Sequence, residues 1–144
     1  MNYSEPCKYS IRLIAKLKSL DTTNVLDFNL INKAIYFAKK YPNSRIFAYE
    51  PHPLNFENLI KGIKENKLTN IYPFNLAVSS KSDINVKIHL HENNTAASSA
   101  FRFLPEDPYV EVKTISLEDI INQNNISYID FLKIDCEGAE FDIL

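Results

Sequence analysis

The chain has 144 residues, of which 45% are hydrophobic and 24% are charged, and this size suits one domain with one buried core. Its formal net charge of −2 creates no strong field that would draw it to nucleic acid or anionic lipid. No apolar run approaches the roughly 20 residues of a membrane span. The first residues lack a secretory signal, and two cysteines far apart in sequence make no disulfide framework, so we expect a cytoplasmic protein.

The first part of the chain predicts a leading extension followed by the start of an α/β domain. Apolar residues recur at helical spacing over Tyr9–Leu20, which predicts an amphipathic helix within an extension of residues 1–22. The domain itself then covers residues 23–144. It begins with a short strand, Val25–Phe28, and a helix over Ala34–Lys40.

Next come segments that alternate between strand and helix. The segment Arg45–Glu50 is a compact apolar run closed by an acid, and such a run is typical of a strand buried on both faces. Leu54–Asn66 has helical spacing and follows Pro53, which suits an opening turn, and Ile71–Val78 predicts the next strand. Strands and helices in this order, joined by short links, predict a doubly wound and mostly parallel sheet.

The pattern changes in the second half of the chain. Apolar and polar residues alternate in Ile84–Leu90, and Val110–Thr114 predicts its partner in a small antiparallel excursion. A helix is expected over Leu117–Asn122 with Ser116 as its N-cap, and a buried strand over Ile129–Asp135. Because a doubly wound domain normally continues with further strands here, we expect the domain to be incomplete at its C-terminus.

Candidate functional residues lie where the predicted strands end. Ligands of open parallel sheets bind beyond the carboxyl ends of the strands, which directs attention to Asp27, Glu50, Asn75–Val78 and Asp135. A carboxylate such as Glu50 can accept hydrogen bonds from both hydroxyls of a ribose. The alternative for Glu50 is a solvated acid at a strand end.

The acidic segment at the end of the chain is the second candidate. Asp135, Glu137 and Glu140 could orient a substrate, take a proton or hold a metal ion. We expect a functional role for Asp135, whereas Glu140 suits a helix N-terminus, where negative charge is stabilising. No metal site is predicted from His89 and His91, since no third ligand stands out near them.

Six segments in order carry a family resemblance: Ile46–Pro53, Asn55–Leu59, Asn66, Asn75–Ser79, Thr114–Asp119 and Ile129–Glu140. Together they resemble the FkbM-type methyltransferases, which depend on S-adenosylmethionine. The resemblance implies a Rossmann-like class I methyltransferase fold and methyl transfer, usually to a hydroxyl of a sugar or natural product. A small-molecule or glycan acceptor is therefore the expected partner.

The same resemblance assigns roles to individual residues. Glu50 would hold the ribose of the cofactor, Pro51 beside it would also bind the cofactor, and Asn75, Ala77 and Val78 would lie against its adenine. Asp135 would face the reacting centre, where an acceptor oxygen must be aligned and lose its proton.

The predicted cofactor loop departs from the family pattern Asp-x-Gly-Ala-Asn-x-Gly. In the segment Asp27–Lys33, Asp27 and Asn29 are plausible counterparts, but the segment is two residues shorter and has no glycine. The whole chain has two glycines, where average usage of about 7% predicts about ten. Since Cβ atoms would occupy space that the cofactor needs, a non-catalytic or fragmentary methyltransferase-like binding module is the alternative to an active enzyme. A nicotinamide-dependent oxidoreductase would require a Gly-x-Gly-x-x-Gly turn, which the sequence lacks.

Overall fold

The computed structural model describes residues 11–16, 30–89 and 108–134, which form a mixed α/β arrangement. The helices are α1 Leu30–Lys40, α2 Pro53–Glu65 and α3 Leu117–Gln123. The strands are β1 Ile11–Lys16, β2 Arg45–Tyr49, β3 Ile71–Phe74, β4 Ala77–Ser79, β5 Asn85–His89, β6 Tyr109–Ser116 and β7 Phe131–Ile134.

The strands divide between two small sheets. The four-stranded sheet has the order β3-β2-β1-β7, and the three-stranded sheet has the order β4-β6-β5. Pairing is parallel between β2 and β3 and between β4 and β6, whereas β1 runs antiparallel to both of its neighbours. The expected doubly wound, mostly parallel sheet is therefore not confirmed. The expected antiparallel excursion is confirmed, because β5 pairs antiparallel with β6.

The predicted leading helix is wrong where the structure describes it. Ile11–Lys16 is a strand inserted between β2 and β7, and the rest of the predicted helix lies outside the described residues. Over six residues an apolar pattern fits both periods, since Ile11 and Ile14 match helical spacing while Ile11 and Leu13 match strand alternation. Backbone pairing on both sides, as the register with β2 and β7 shows, decides the conformation.

The single strand predicted over Ile71–Val78 is also wrong, because the chain changes sheets within it. Residues 71–74 form β3 beside β2, and residues 77–79 form β4 beside β6. Pro73 lacks an N–H and is tolerated at a sheet edge, which is where β3 lies in the described sheet order. The buried strand predicted over Ile129–Asp135 corresponds to β7, Phe131–Ile134, and all four residues of β7 are half-buried.

Strand β2 is buried on both faces, as its continuous apolar run predicted. Ile46 and Ala48 face one cluster, the α1–α2 cluster, formed by the buried residues Ala34, Phe37, Ala38, Ile46, Ala48, Leu59 and Ile71. Phe47 and Tyr49 face the other, the α3 cluster, formed by the buried residues Phe47, Tyr49, Val78, Ile115, Ile120 and Ile126. Because alternate residues of a strand point to opposite faces, β2 joins the two halves of the core.

The three other predicted helices are confirmed with small changes of boundary. Helix α1 begins at Leu30, four residues before the predicted start, and α2 begins at Pro53. Helix α3 begins after Ser116, whose side chain accepts a hydrogen bond from the backbone N–H of Asp119 at 3.1 Å, as expected for an N-cap.

Candidate functional site

Glu50 and Asn75 lie side by side at the carboxyl ends of two parallel strands. They directly follow β2 and β3, and the backbone N–H of Glu50 donates to the carbonyl of Phe74 at 3.0 Å. Because parallel strands end at the same edge of a sheet, the end of β3 meets the turn that follows β2. The structure thus brings together two of the strand-end residues that the sequence predicts.

Glu50 is buried and its carboxylate is held by the backbone. Its exposed fraction is 2%, so the interpretation as a solvated acid at a strand end is wrong. Its Oε1 accepts a hydrogen bond from the backbone N–H of His52 at 2.9 Å. Burying a carboxylate is costly unless its oxygens find hydrogen-bond donors, and the backbone N–H of His52 supplies one.

The amide of Asn75 holds the turn that contains Glu50. Its Nδ2 donates to the carbonyl of Glu50 at 2.8 Å and to the carbonyl of Pro51 at 3.1 Å. Pro51 is buried and His52 is 5% exposed, so the turn lies under other atoms and not on the surface. The amide of Asn75 therefore satisfies two carbonyls of a buried turn, where leaving them unpaired would be destabilising.

The local sequence explains why the chain turns sharply after β2. Pro51 has no N–H to continue the ladder, and Pro53 suits the first turn of α2 because its missing N–H is not needed there. Between them, His52 is the N-cap of α2 with extended backbone, and its carbonyl accepts the N–H of Phe56 at 2.9 Å. His52 is not among the predicted site residues, and its place between two prolines is the signal that could have identified it.

Ala77 and Val78 lie in β4, in the three-stranded sheet, and both are fully buried. Val78 packs in the α3 cluster, and β4 pairs with β6 in parallel register. These two residues follow Asn75 closely in sequence, but the chain has by then left the four-stranded sheet. Their contact with a cofactor stays a prediction.

The other predicted site residues lie outside the residues that the structure describes. They are Asp27, Asn29 and Asp135, together with Glu137 and Glu140 of the acidic segment. Their roles stay predictions from the resemblance. Of the predicted set, the structure brings together Glu50, Pro51 and Asn75.

A second polar cluster lies where β6 meets α3. The hydroxyl of Ser82 hydrogen-bonds the carboxylate of Asp119 and accepts the backbone N–H of Ser116 at 2.8 Å. Nearby, Thr114 Oγ1 donates to the carbonyl of Lys81 at 2.7 Å and accepts the N–H of Ile84 at 3.1 Å. These contacts tie the loop after β4 to the start of a seven-residue helix, which is a structural role.

Burial also changes the acidity of one tyrosine in the core. Tyr49 is fully buried, stacks on Phe74 with ring centroids 4.8 Å apart, and has no hydrogen-bond partner for its hydroxyl among the described residues. Desolvation raises the pKa of Tyr49 to about 12, against an opposing effect of the neighbouring Asn124 amide. The phenol is therefore neutral at physiological pH.

The described ranges contain neither a cluster of metal ligands nor a membrane-spanning helix. Within residues 11–16, 30–89 and 108–134, no three His, Cys, Asp or Glu side chains lie close enough to hold a metal ion. No helix in the same ranges is long and apolar enough to cross a membrane.

Comparison with known proteins gives two matches. Residues 28–144 match the family described as Methyltransferase FkbM domain. A curated relative, "Methyltransferase 1" of Beauveria bassiana (strain ARSEF 2860), is 24% identical over an alignment of 132 residues. The match covers 76% of this chain and 51% of the relative. The chain thus spans about half the length of this relative. No solved structure gives a significant match.

Proposed function

Because the chain belongs to the FkbM methyltransferase family, we propose that it binds S-adenosylmethionine and takes part in methyl transfer to a hydroxyl of a sugar or natural product. The family assignment predicted from the ordered segments is confirmed. The single observation that carries the proposal is the Glu50 carboxylate, anchored to backbone at the carboxyl end of a strand in a parallel pair.

The residues around Glu50 suit the ribose of this cofactor. A carboxylate has lone pairs for both ribose hydroxyls, and the His52 N–H orients one of its oxygens. The position at the end of β2, next to the end of β3, is where α/β sheets place such contacts. On this proposal Glu50 and Pro51 bind the ribose, and Ala77 and Val78 lie on the adenine side.

When bound, S-adenosylmethionine supplies the methyl group. The chain must bind the cofactor, align the acceptor oxygen and take up the proton that this oxygen loses. We assign the last role to Asp135, which lies outside the described residues. The match covers only 51% of the curated relative. We therefore assign cofactor binding to this chain and specify the acceptor no further than a hydroxyl of a sugar or natural product.

A non-catalytic binding module of the same family is the second candidate. Two observations favour it: Glu50 is 2% exposed, and the segment Asp27–Lys33 contains no glycine. A ligand could reach Glu50 only if the atoms that cover it move. Glycine in the loop would give the cofactor room that Cβ atoms would otherwise occupy.

Thermal unfolding of the whole chain with added ligand separates these candidates. At a hundred times its dissociation constant, a ligand stabilises the folded state by about 2.7 kcal/mol, which corresponds to a rise in Tm of roughly 5–10 °C at this size. We expect this rise with S-adenosylhomocysteine and no rise with NAD⁺. No rise with either ligand would favour the non-catalytic module, and a rise with NAD⁺ alone would contradict the proposal.

A further inference from the structure

We infer that Asn75 is a positioning residue that sets the orientation of the Glu50 carboxylate, an inference that rests on the proposed role of Glu50 in cofactor binding. The resemblance places Asn75 against the adenine, whereas the structure gives its amide a different task. Both N–H groups of an asparagine amide are available as donors. Here the nitrogen donates to the carbonyls of Glu50 and Pro51, at 2.8 and 3.1 Å.

The contact to Pro51 is connected to the carboxylate through one rigid unit. The carbonyl of Pro51 and the N–H of His52 belong to the same peptide group, which is planar, and in its trans form the two point in opposite directions. Asn75 holds the oxygen of this group, and the N–H on its other side donates to Glu50 Oε1 at 2.9 Å. Because the peptide group is planar, the bond from Asn75 to the carbonyl oxygen of Pro51 also fixes the direction in which the His52 N–H points at the Glu50 carboxylate.

The neighbouring strand also fixes the backbone of Glu50 itself. The N–H of Glu50 donates to Phe74 and its carbonyl accepts from Asn75, so consecutive residues at the end of β3 hold both backbone groups of Glu50. The Glu50 carboxylate is thus restrained in two ways. Its own backbone is held by Phe74 and Asn75, and the Pro51–His52 peptide group that donates to it is held by Asn75. An Asn75→Ala substitution would remove both side-chain hydrogen bonds to the turn, and we expect the carboxylate to be held less firmly.

The inference predicts an energetic signature that an adenine contact would not give. If Asn75 acts through Glu50, the effect of Asn75→Ala on cofactor affinity depends on the presence of the carboxylate. If Asn75 contacts adenine directly, the effects of substitutions at the two positions add. Effects at independent sites are additive within a factor of about two in affinity, so a double-mutant cycle distinguishes the two roles.

The cycle uses calorimetric titration of the full chain with S-adenosylhomocysteine. We expect Asn75→Ala to weaken binding about 10-fold, the size of one lost hydrogen bond, and by less than about 2-fold in the Glu50→Gln background. Equal losses in both backgrounds would overturn the inference. So would unchanged affinity of the Asn75→Ala variant.

Asn70 provides the matched control at the other end of the same strand. Its Nδ2 donates to three backbone carbonyls, those of Ala38, Tyr41 and Ser44, at 3.1–3.2 Å. It thus has a comparable structural role next to the end of α1. We expect Asn70→Ala to lower Tm but to change affinity by less than about 2-fold in either background. An effect on affinity equal to that of Asn75→Ala would mean that general loss of stability explains both.

Hydrogen exchange of the ligand-free chain tests the positioning step separately from the proposed function. The backbone amide of His52 donates to Glu50 Oε1, so it is protected while the turn is held. We expect Asn75→Ala to speed its exchange about 10-fold or more, whereas Asn70→Ala leaves it close to the wild-type rate. Unchanged exchange in Asn75→Ala overturns the positioning step. If the wild-type chain does not bind S-adenosylhomocysteine, the proposed function fails, while the exchange rates still decide whether Asn75 holds this turn.

Discussion

Replacing Tyr49 with phenylalanine should stabilise the protein, although it removes a polar group from the core. The side chain is fully buried in the α3 cluster, and its hydroxyl has no hydrogen-bond partner within the described residues. Asn124 lies close enough to interact with the phenol, and its amide nitrogen also donates to the carbonyl of Ile120 at 2.8 Å. Tyr49→Phe removes the unsatisfied hydroxyl and keeps the ring that stacks on Phe74.

The size of the effect follows from the cost of burying an unpaired polar group. That cost is about 1–3 kcal/mol. We expect the cost for Tyr49 to lie at the lower end of this range, because the nearby Asn124 amide interacts with the phenol. We therefore expect the free energy of unfolding to rise by about 1 kcal/mol in Tyr49→Phe, which corresponds to roughly 3–4 °C in Tm at this chain length.

The same burial makes stability depend on pH in the alkaline range. The phenol of Tyr49 ionises near its ordinary pKa of 10.0 in the unfolded chain and near 12 in the folded protein. Between these values the unfolded state loses the proton that the folded state keeps, so wild-type stability falls as the pH rises. The loss is at most about 2–3 kcal/mol, at 1.36 kcal/mol per pH unit. Tyr49→Phe should lack this part of the decline.

Urea unfolding at pH 7 and at several values between pH 9 and 12 measures both effects. Tyr72→Phe is the control, because Tyr72 is 41% exposed and the loss of its hydroxyl should change stability by less than about 0.5 kcal/mol. A Tyr49→Phe variant less stable than wild type at pH 7 would refute the reasoning, since it would reveal a hydrogen bond that the hydroxyl makes.

Three further substitutions test other parts of the fold by the same unfolding measurement. Leu59→Ala removes a fully buried side chain from the α1–α2 cluster and should cost about 2–5 kcal/mol; a loss below 1 kcal/mol would argue against this packing. Ser116→Ala removes the N-cap that accepts the N–H of Asp119 and should cost about 1 kcal/mol, with no loss contradicting the cap. Arg45→Met removes a guanidinium that donates to the carbonyl of Asn124 at 3.0 Å and should cost about 1 kcal/mol, and an unchanged stability would show that solvent replaces this contact.

The parts of the fold that the sequence predicts well are those with a long or unambiguous pattern. After Arg45, β2 has no charged position that would mark a solvent face, so burial of Ile46–Tyr49 on both sides follows from the residues alone. Helix α2 spans thirteen residues, long enough for helical periodicity to be distinct, and Pro53 marks its start.

The parts that could not be predicted depend on contacts between distant segments. The six residues of β1 fit both helical and strand spacing, and their own sequence does not show that they pair with β2 and β7. The division of residues 71–79 between two sheets depends on the partner that β6 offers to β4. Local patterns carry no information about which strand a segment will meet.

The candidate site divides in the same way. Glu50 is predictable because an acid closes a strand and a proline follows it. Its burial is not predictable, because the covering atoms come from the tertiary structure. The hydrogen bonds from the Asn75 amide reach the carbonyls of Glu50 and Pro51, which lie 25 and 24 positions earlier in the chain. Sequence alone gives no geometry across such a separation.

The most direct test of the central claim compares the affinity of two glutamate variants for S-adenosylhomocysteine by calorimetry. Glu50→Gln replaces the buried carboxylate with an amide, and Glu57→Gln makes the same change at an exposed position of α2. We expect Glu50→Gln to weaken binding roughly 10- to 100-fold, the range for hydrogen bonds to a charged group, while Glu57→Gln stays within about 2-fold of wild type. Equal affinity in the two variants, or no binding by the wild-type chain, would contradict it.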